Sequence, residues 1–321
     1  MNVFLTSPWI PAEWIRAHGL TSRPLWLEER LSNAPVALSA GVCAVAETTV
    51  RFAETHPADA VVFTSACDQM RRGYDEGKFR GQSRVFLFNL PATPTPAARQ
   101  IYCDELRRLG RFLQEMGGAA PDTKSLWQEI RRAGEARRNL RAIAPSANAR
   151  SLAEAVAAYH CDGTCSEIST CPSDDRISLA LIGGAFPKSD WTLFKSVEQA
   201  GGRVTLNATK SGERSLCPEG VDAGDPFEAL ASGYFDHITD AFQRPNTRLY
   251  DWLKPRLPAR GVRGLVLWHF TGCDLWRAEA QSLREAFGLP VLLLEAGEAT
   301  GRSPRDQTRL QAFIEMLKAE G

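Results

Sequence analysis

The sequence predicts an α/β protein made of two parallel-sheet units with helices packed around them. Three observations carry that prediction. Short continuous apolar runs alternate with amphipathic helical segments, the pattern of strands covered on both faces and joined by crossover helices. The alternation occurs twice, over about 30–95 and again over 176–321, with a long helical stretch between. The two units also share an element. "VVFTSACDQMRR" (61–72) and "LVLWHFTGCDLWRAE" (265–279) each end an apolar run on Thr, small residues and a Cys-Asp pair. The expected organisation is a first α/β lobe with N-terminal helices (1–95), a helical region with a cysteine-rich segment (96–175), and a second α/β lobe (176–321).

Residues 11–18 read as a short helix, with Pro11 in its first turn and Gly19 past its end. "APVALSAGVC" (34–43) reads as a buried strand that stops at a glycine and a cysteine, and "AVAETTVRFAETH" follows it as a helix. "ADAVVFTSACD" and "SRVFLFNLP" are the next strands, the latter stopped by Pro91. Helix spans 97–143, and Leu106, Leu109, Leu113 and Met116 form a core-facing stripe at helical spacing. "APSANARS" reads as a linker. The second unit opens on the strand "RISLALIGGAF". The helix "SDWTLFKSVEQAGG" follows, with Ser189 as its expected cap. Next come the strand "RVTLNAT", helices over 226–260 and the strand "VRGLVLWHFTGCD". The helix "AEAQSLREAFG", the strand "LPVLLLEAGE" and the helix "PRDQTRLQAFIEMLKAE" complete the chain.

Composition narrows the function classes. The 321 residues carry 38 Lys and Arg against 38 Asp and Glu, so no net positive field marks a nucleic-acid or anionic-membrane surface. The basic cluster "EIRRAGEARRNLR" is interleaved with glutamate and reads as a solvated helix face. The N-terminus lacks a basic start followed by a long apolar core, and no run approaches the ~20 apolar residues of a membrane helix. The expectation is a cytoplasmic protein with no nucleic-acid or membrane partner. Eight cysteines in such a chain point to metal binding or catalysis more than to disulfides.

In open parallel sheets, ligands bind outside the carboxyl ends of the strands. Cys43, Cys67 and Cys273 each stand where a predicted strand gives way to a helix. Two lie in the first unit and one in the second, so sheets that face each other would bring the three thiols into the cleft between them. A structural zinc site prefers four ligands in close Cys-x-x-Cys pairs, and these residues are widely spaced. A four-iron cluster on three thiolates suits them better and leaves one iron without a protein ligand. The bland alternative is three small buried apolar residues at strand ends.

These residues resemble the 2-hydroxyacyl-CoA dehydratase / benzoyl-CoA reductase family, of the D-component type. The resemblance runs from "IPAEWIRAHGL", "AGVCAVAE" and "TSACDQMRR" through "FLFNLPATPT" and "DELRRLGRFLQ". It continues in "LALIGGAF", "GLVLWHFTGCD", "LPVLLLEAGE" and the tail "TRLQAFIEML". It implies two flavodoxin-like lobes with an added helical region, and a [4Fe-4S] cluster in the cleft on Cys43, Cys67 and Cys273. It also implies a second related subunit or a homodimer, an ATP-hydrolysing iron–sulfur activator, and one-electron chemistry on an acyl-CoA. ATP would be used by the activator, since "LIGGAF" is a glycine pair at a tight turn and no phosphate-cradling loop is present.

The chain departs from the family in "YHCDGTCSEISTCP", where Cys161, Cys165 and Cys171 follow a C-x3-C-x5-C-P spacing, with Cys217 further on in "LCPEG". These four are candidates for a second cluster, a double-cubane arrangement of the kind found in small-molecule reductases of the family, a zinc site, or plain thiols. A relay subunit with a closed cluster is a further alternative, as is an interaction protein with a zinc site. Cys103 is expected to be packed in a helix, and His269 to be a core histidine with one satisfied hydrogen bond. Asp68 and Asp274 are expected to cap the helices after Cys67 and Cys273. Glu295 is read as a surface carboxylate at a strand end. Thr271 and Gly272 could leave room and a hydroxyl for a substrate.

Overall fold

The computed structural model describes residues 1–27, 42–171, 174–220, 224–296 and 304–320. The first sheet contains β1 (Asn2–Leu5), β2 (Thr21–Pro24), β3 (Ala60–Thr64) and β4 (Val85–Phe88). The second contains β5 (Ile177–Gly183), β6 (Gly202–Thr209), β7 (Gly264–Phe270) and β8 (Val291–Ala296). All the pairings are parallel. The spatial orders are β2-β1-β3-β4 and β6-β5-β7-β8, so each lobe repeats the same 2-1-3-4 arrangement. β3 and β7, the strands that precede the two Cys-Asp pairs, are therefore topological equivalents.

The alternation within β3 shows how the first lobe is layered. Ala60 and Val62 face a core shared with α1 (Ala12–Ala17) and α4 (Pro96–Glu115). Val61 and Phe63 face α2 (Ala44–Thr55) and α3 (Asp68–Phe79). In the second lobe, Leu179 and Val266 pack with α7 (Thr192–Gln199) and α12 (Pro304–Ala319). Ala180 and Leu267 pack with α9 (Thr247–Leu253), α10 (Arg256–Ala259) and α11 (Asp274–Phe287). One apolar cluster runs through both lobes, so they share a core.

Between them lie α5 (Thr123–Ile143), α6 (Ala149–Asp162) and α8 (Pro226–His237). Their junction with α1 is an ion pair taken out of water. Arg137 Nη1 donates to Glu13 Oε1 at 3.0 Å and to the Tyr159 hydroxyl at 2.6 Å. The Tyr234 hydroxyl donates to Glu13 Oε2 at 2.7 Å. Four helices are thus tied together by one buried network, which has force only while both charges are present.

Several elements differ from expectation. β1 and β2 were not foreseen. β1 has four residues, and β2 is a polar edge strand ending in Pro24, a place where proline is tolerated. The strand expected over 34–43 falls almost wholly outside the described residues, and its end, Val42 and Cys43, is irregular backbone entering α2. "APSANARS" does more than link. A 3-10 turn over Ala144–Ser146 is followed by Asn148, whose side chain caps α6 by accepting from the Arg150 and Ser151 N–H groups. Ser189 is not a helix cap, because a 3-10 turn over Lys188–Asp190 intervenes before α7. Among the described residues no helix is long and apolar enough to cross a membrane.

Arg137→Ala would leave the Glu13 carboxylate buried without its partner and should cost about 3–5 kcal/mol of stability. Denaturant unfolding of Arg137→Ala beside the double variant Glu13→Gln/Arg137→Met checks this, with the double variant expected to recover much of the loss. His160 supplies a pH test. Burial, with Arg137 and Arg16 nearby, lowers its pKa to about 3 from the ordinary 6.5. The folded ring stays neutral where the unfolded one is charged, so its contribution is complete above pH 6.5 and falls as the pH drops from there toward 3. The stability difference between wild type and His160→Gln should shrink by up to about 1.4 kcal/mol per pH unit across that window.

Candidate functional site

The carboxyl ends of the two sheets meet across a cavity of about 740 Å³, counted with its solvent-open mouth. It widens outward into a groove of about 1310 Å³. Cys43, Cys67 and Cys273 line both. Each is the residue immediately before a helix, α2, α3 and α11 respectively, and none of the three helices has a side-chain cap hydrogen bond. Backbone N–H groups of the first turn lie near each sulfur and favour its charged form. Val45 and Ala46 serve Cys43, Gln69 and Met70 serve Cys67, and Trp276 serves Cys273. Unpaired N–H groups and the positive helix end favour a negative ligand there.

Burial opposes them. It pushes all three thiols up from their ordinary value, Cys273 to about 12, with the neighbouring thiols adding to the shift at Cys43 and Cys273. Short contacts hold the three turns in place. The Cys43 N–H donates to Gln69 Oε1 at 2.9 Å, joining the starts of α2 and α3. Gly272 has φ +79°, and a Cβ placed there would lie 3.5 Å from Cys43 Cβ, so the loop from the second lobe abuts the first lobe's cysteine.

Behind the thiols is a polar wall from the second lobe. Arg214 donates to the carbonyl oxygens of Ala208 at 2.9 Å and Gly183 at 2.6 Å, and to Asp240 Oδ2 at 3.0 Å. One guanidinium thereby fixes the ends of β5 and β6 and the loop that carries Asp240. Lys210 follows β6 directly, and its Nζ donates to the Thr6 carbonyl of the first lobe at 2.7 Å. Burial lowers the Lys210 pKa, while Asp240 and Cys67 pull it back up.

Other expected residues divide clearly. Cys103 is fully buried in α4, as read from the sequence. Asp68 and Asp274 are not caps, because the cysteines before them hold the cap positions and the carboxylates are exposed first-turn residues. Glu295 is exposed at the end of β8. The Thr271 hydroxyl donates to the Ala296 carbonyl at 3.3 Å. Gly183 owes its place to a close approach, since a Cβ there would lie 1.9 Å from the Trp268 carbonyl oxygen.

Cys161, Cys165, Cys171 and Cys217 have separate surroundings. Cys161 lies in the last turn of α6, and the exposed Cys165 donates to the Ala136 carbonyl at 3.7 Å. Cys171 lies 3.8 Å from Arg203, and Cys217 is buried, its thiol pushed up to about 11 by that burial. Among the described residues no three His, Cys, Asp or Glu side chains converge closely enough to hold a single metal ion. Cys43, Cys67 and Cys273 line one cavity, and Cys161, Cys165, Cys171 and Cys217 do not line it.

The model of the family described as 2-hydroxyglutaryl-CoA dehydratase, D-component, matches residues 9–317. The chain belongs to that family. The match takes in both lobes and all three cavity cysteines, and it marks the protein as a dehydratase-type subunit. No curated protein matches the chain. Among solved structures, the SBP FpvC from Pseudomonas aeruginosa in complex with Mn2+ is 14% identical, with 100% of this chain and 99% of that chain covered. Its TM-score is 0.28, and the likeness carries no argument.

The sequence reading did not single out Lys210 or Asp240. Lys210 follows a predicted strand as the cysteines do, so the same strand-end argument reaches it. Asp240 sits in a loop with no periodic signal. Gly272→Ala should cost about 1–2 kcal/mol, the price of a Cβ in left-handed backbone, as read from the urea midpoint.

Proposed function

We propose that this chain is the iron–sulfur subunit of a 2-hydroxyacyl-CoA dehydratase or benzoyl-CoA reductase-like enzyme, with Cys43, Cys67 and Cys273 holding a [4Fe-4S] cluster. The observation that carries the reading is the convergence of three thiols from two lobes, each at a helix start without a side-chain cap, on one cavity. When bound, such a cluster supplies single low-potential electrons and, at an iron the protein does not ligate, Lewis-acid polarisation.

The chain's own residues do the rest. First-turn N–H groups near the sulfurs stabilise negative charge on them. Lys210 adds a cation beside Cys67 and Cys273. The shared core of Trp9, Phe242 and Phe270 makes one side of the cavity apolar and excludes water from it. The open groove beyond the thiols admits an extended acyl-CoA. On this reading a second related subunit completes the enzyme, and an ATP-hydrolysing iron–sulfur activator delivers the electron.

Iron and acid-labile sulfide per chain, measured after strictly anaerobic purification, test the assignment. About four irons are expected in wild type. Cys273→Ala should lose most of them while keeping the wild-type circular dichroism spectrum. Zinc in place of iron, or iron unchanged in the variant, would remove the three-thiol assignment.

A further inference from the structure

Among the polar side chains that line the cavity with the thiols, His269 and Lys210 can offer opposite hydrogen-bonding character. His269, in β7, is 2% exposed and lines the cavity. Its Nδ1 lies 3.0 Å from the carbonyl oxygen of Phe270. A carbonyl oxygen only accepts, so Nδ1 carries a proton, and a ring in its neutral form presents a lone pair at Nε2. Nε2 is buried and has no hydrogen-bond partner among the described residues. A buried acceptor left in that state is costly, and the cost is removed when a ligand brings a donor.

Lys210 is the complement. Its ammonium has three donors, of which one goes to the Thr6 carbonyl, and no other acceptor is within hydrogen-bond reach among the described residues. The side chain lines the same cavity as His269 and the three thiols, with Asp240 close by to balance its charge. The pocket therefore offers one unused acceptor and unused cationic donors beside the sulfur ring. A ligand that satisfies both carries a hydroxyl donor and an electron-rich oxygen.

We propose that His269 and Lys210 orient the substrate, with Nε2 accepting a hydrogen bond from a hydroxyl next to the thioester and Nζ donating to the thioester carbonyl oxygen. A 2-hydroxyacyl thioester satisfies both groups. An aromatic acyl thioester satisfies only Lys210 and leaves the histidine unpaired. The inference rests on the thioester reading above and narrows it to hydroxylated acyl groups.

The test is equilibrium binding by calorimetry on the anaerobically purified protein, without activator, ATP or reductant, so that nothing turns over. The probes are two matched pairs, lactoyl-CoA with propionyl-CoA and 2-hydroxyglutaryl-CoA with glutaryl-CoA. Members of a pair differ by one hydroxyl. Wild type should prefer the hydroxylated member of at least one pair by about tenfold, the effect of one hydrogen bond. His269→Phe should equalise the pair by weakening only the hydroxylated ester. His269→Gln keeps an acceptor and should restore part of the preference. Lys210→Met should weaken both members by the same factor. Iron content and circular dichroism confirm each variant's integrity. If wild type binds both members and His269→Phe leaves their ratio unchanged, the assignment of His269 is wrong while the thioester reading stands. If wild type, with its iron intact, binds no ester, the thioester reading itself falls and takes this inference with it.

Discussion

A parallel strand that feeds a helix leaves, at its carboxyl end, a turn whose first helical N–H groups have no intrahelical partner. Every feature of the cavity depends on that constraint. Those donors must be met by water, by a side-chain cap or by a ligand. At α4, α5 and α6 the answer is a cap, from Thr95, Asp122 and Asn148. At α2, α3 and α11 the residue in the cap position is a cysteine that makes no side-chain cap hydrogen bond, and the nearby N–H groups favour its thiolate. Among the helices without a side-chain cap, α2, α3 and α11 are those that set a cysteine in the cap position at the cavity.

The repeated strand order explains why the thiols face one another. Cys67 and Cys273 follow the third strand of each lobe, so a rough two-fold relation between the lobes sets them on opposite sides of the cleft. The relation is broken after the second strand. In the first lobe α2 and its Cys43 come next, whereas in the second the exit of β6 carries Lys210. A symmetric pair would have supplied four thiols. The asymmetric one supplies three and a cation.

Most of the architecture was legible in the sequence because its signals are local. The strands β3 to β8 are continuous apolar runs, and the helices after them carry the 3.6-residue stripe. The cysteines were legible for a related reason, since a strand end followed by a helix start fixes a residue on the ligand side of the sheet whatever surrounds it. What escaped was carried by packing. β2 is four polar residues held as a strand only because β1 lies beside it. The role of His269 depends on which ring nitrogen meets the Phe270 carbonyl, and sequence contains no trace of that. Asp68 and Asp274 were expected as caps from residue type, yet the cysteine one position earlier occupies the cap. Asp240 is brought to the cavity by Arg214, two residues that sequence periodicity does not connect.

The electrostatics of the cavity set opposing demands that a bound cationic centre would reconcile. Three partly desolvated thiols resist ionisation, as the value of about 12 at Cys273 expresses. Three helix starts and one ammonium favour anions in the same space. Neither set alone makes a stable arrangement of thiolates, because each charged sulfur raises the cost of charging the next. On the proposed assignment, metal cations replace the thiol protons, so that occupation of the site and loss of those protons are one event. The N–H groups and Lys210 then meet the negative charge that remains on sulfur. His269 and Lys210 line the same cavity as the sulfurs, and on the proposed assignment their unused acceptor and donors are what a substrate would match there.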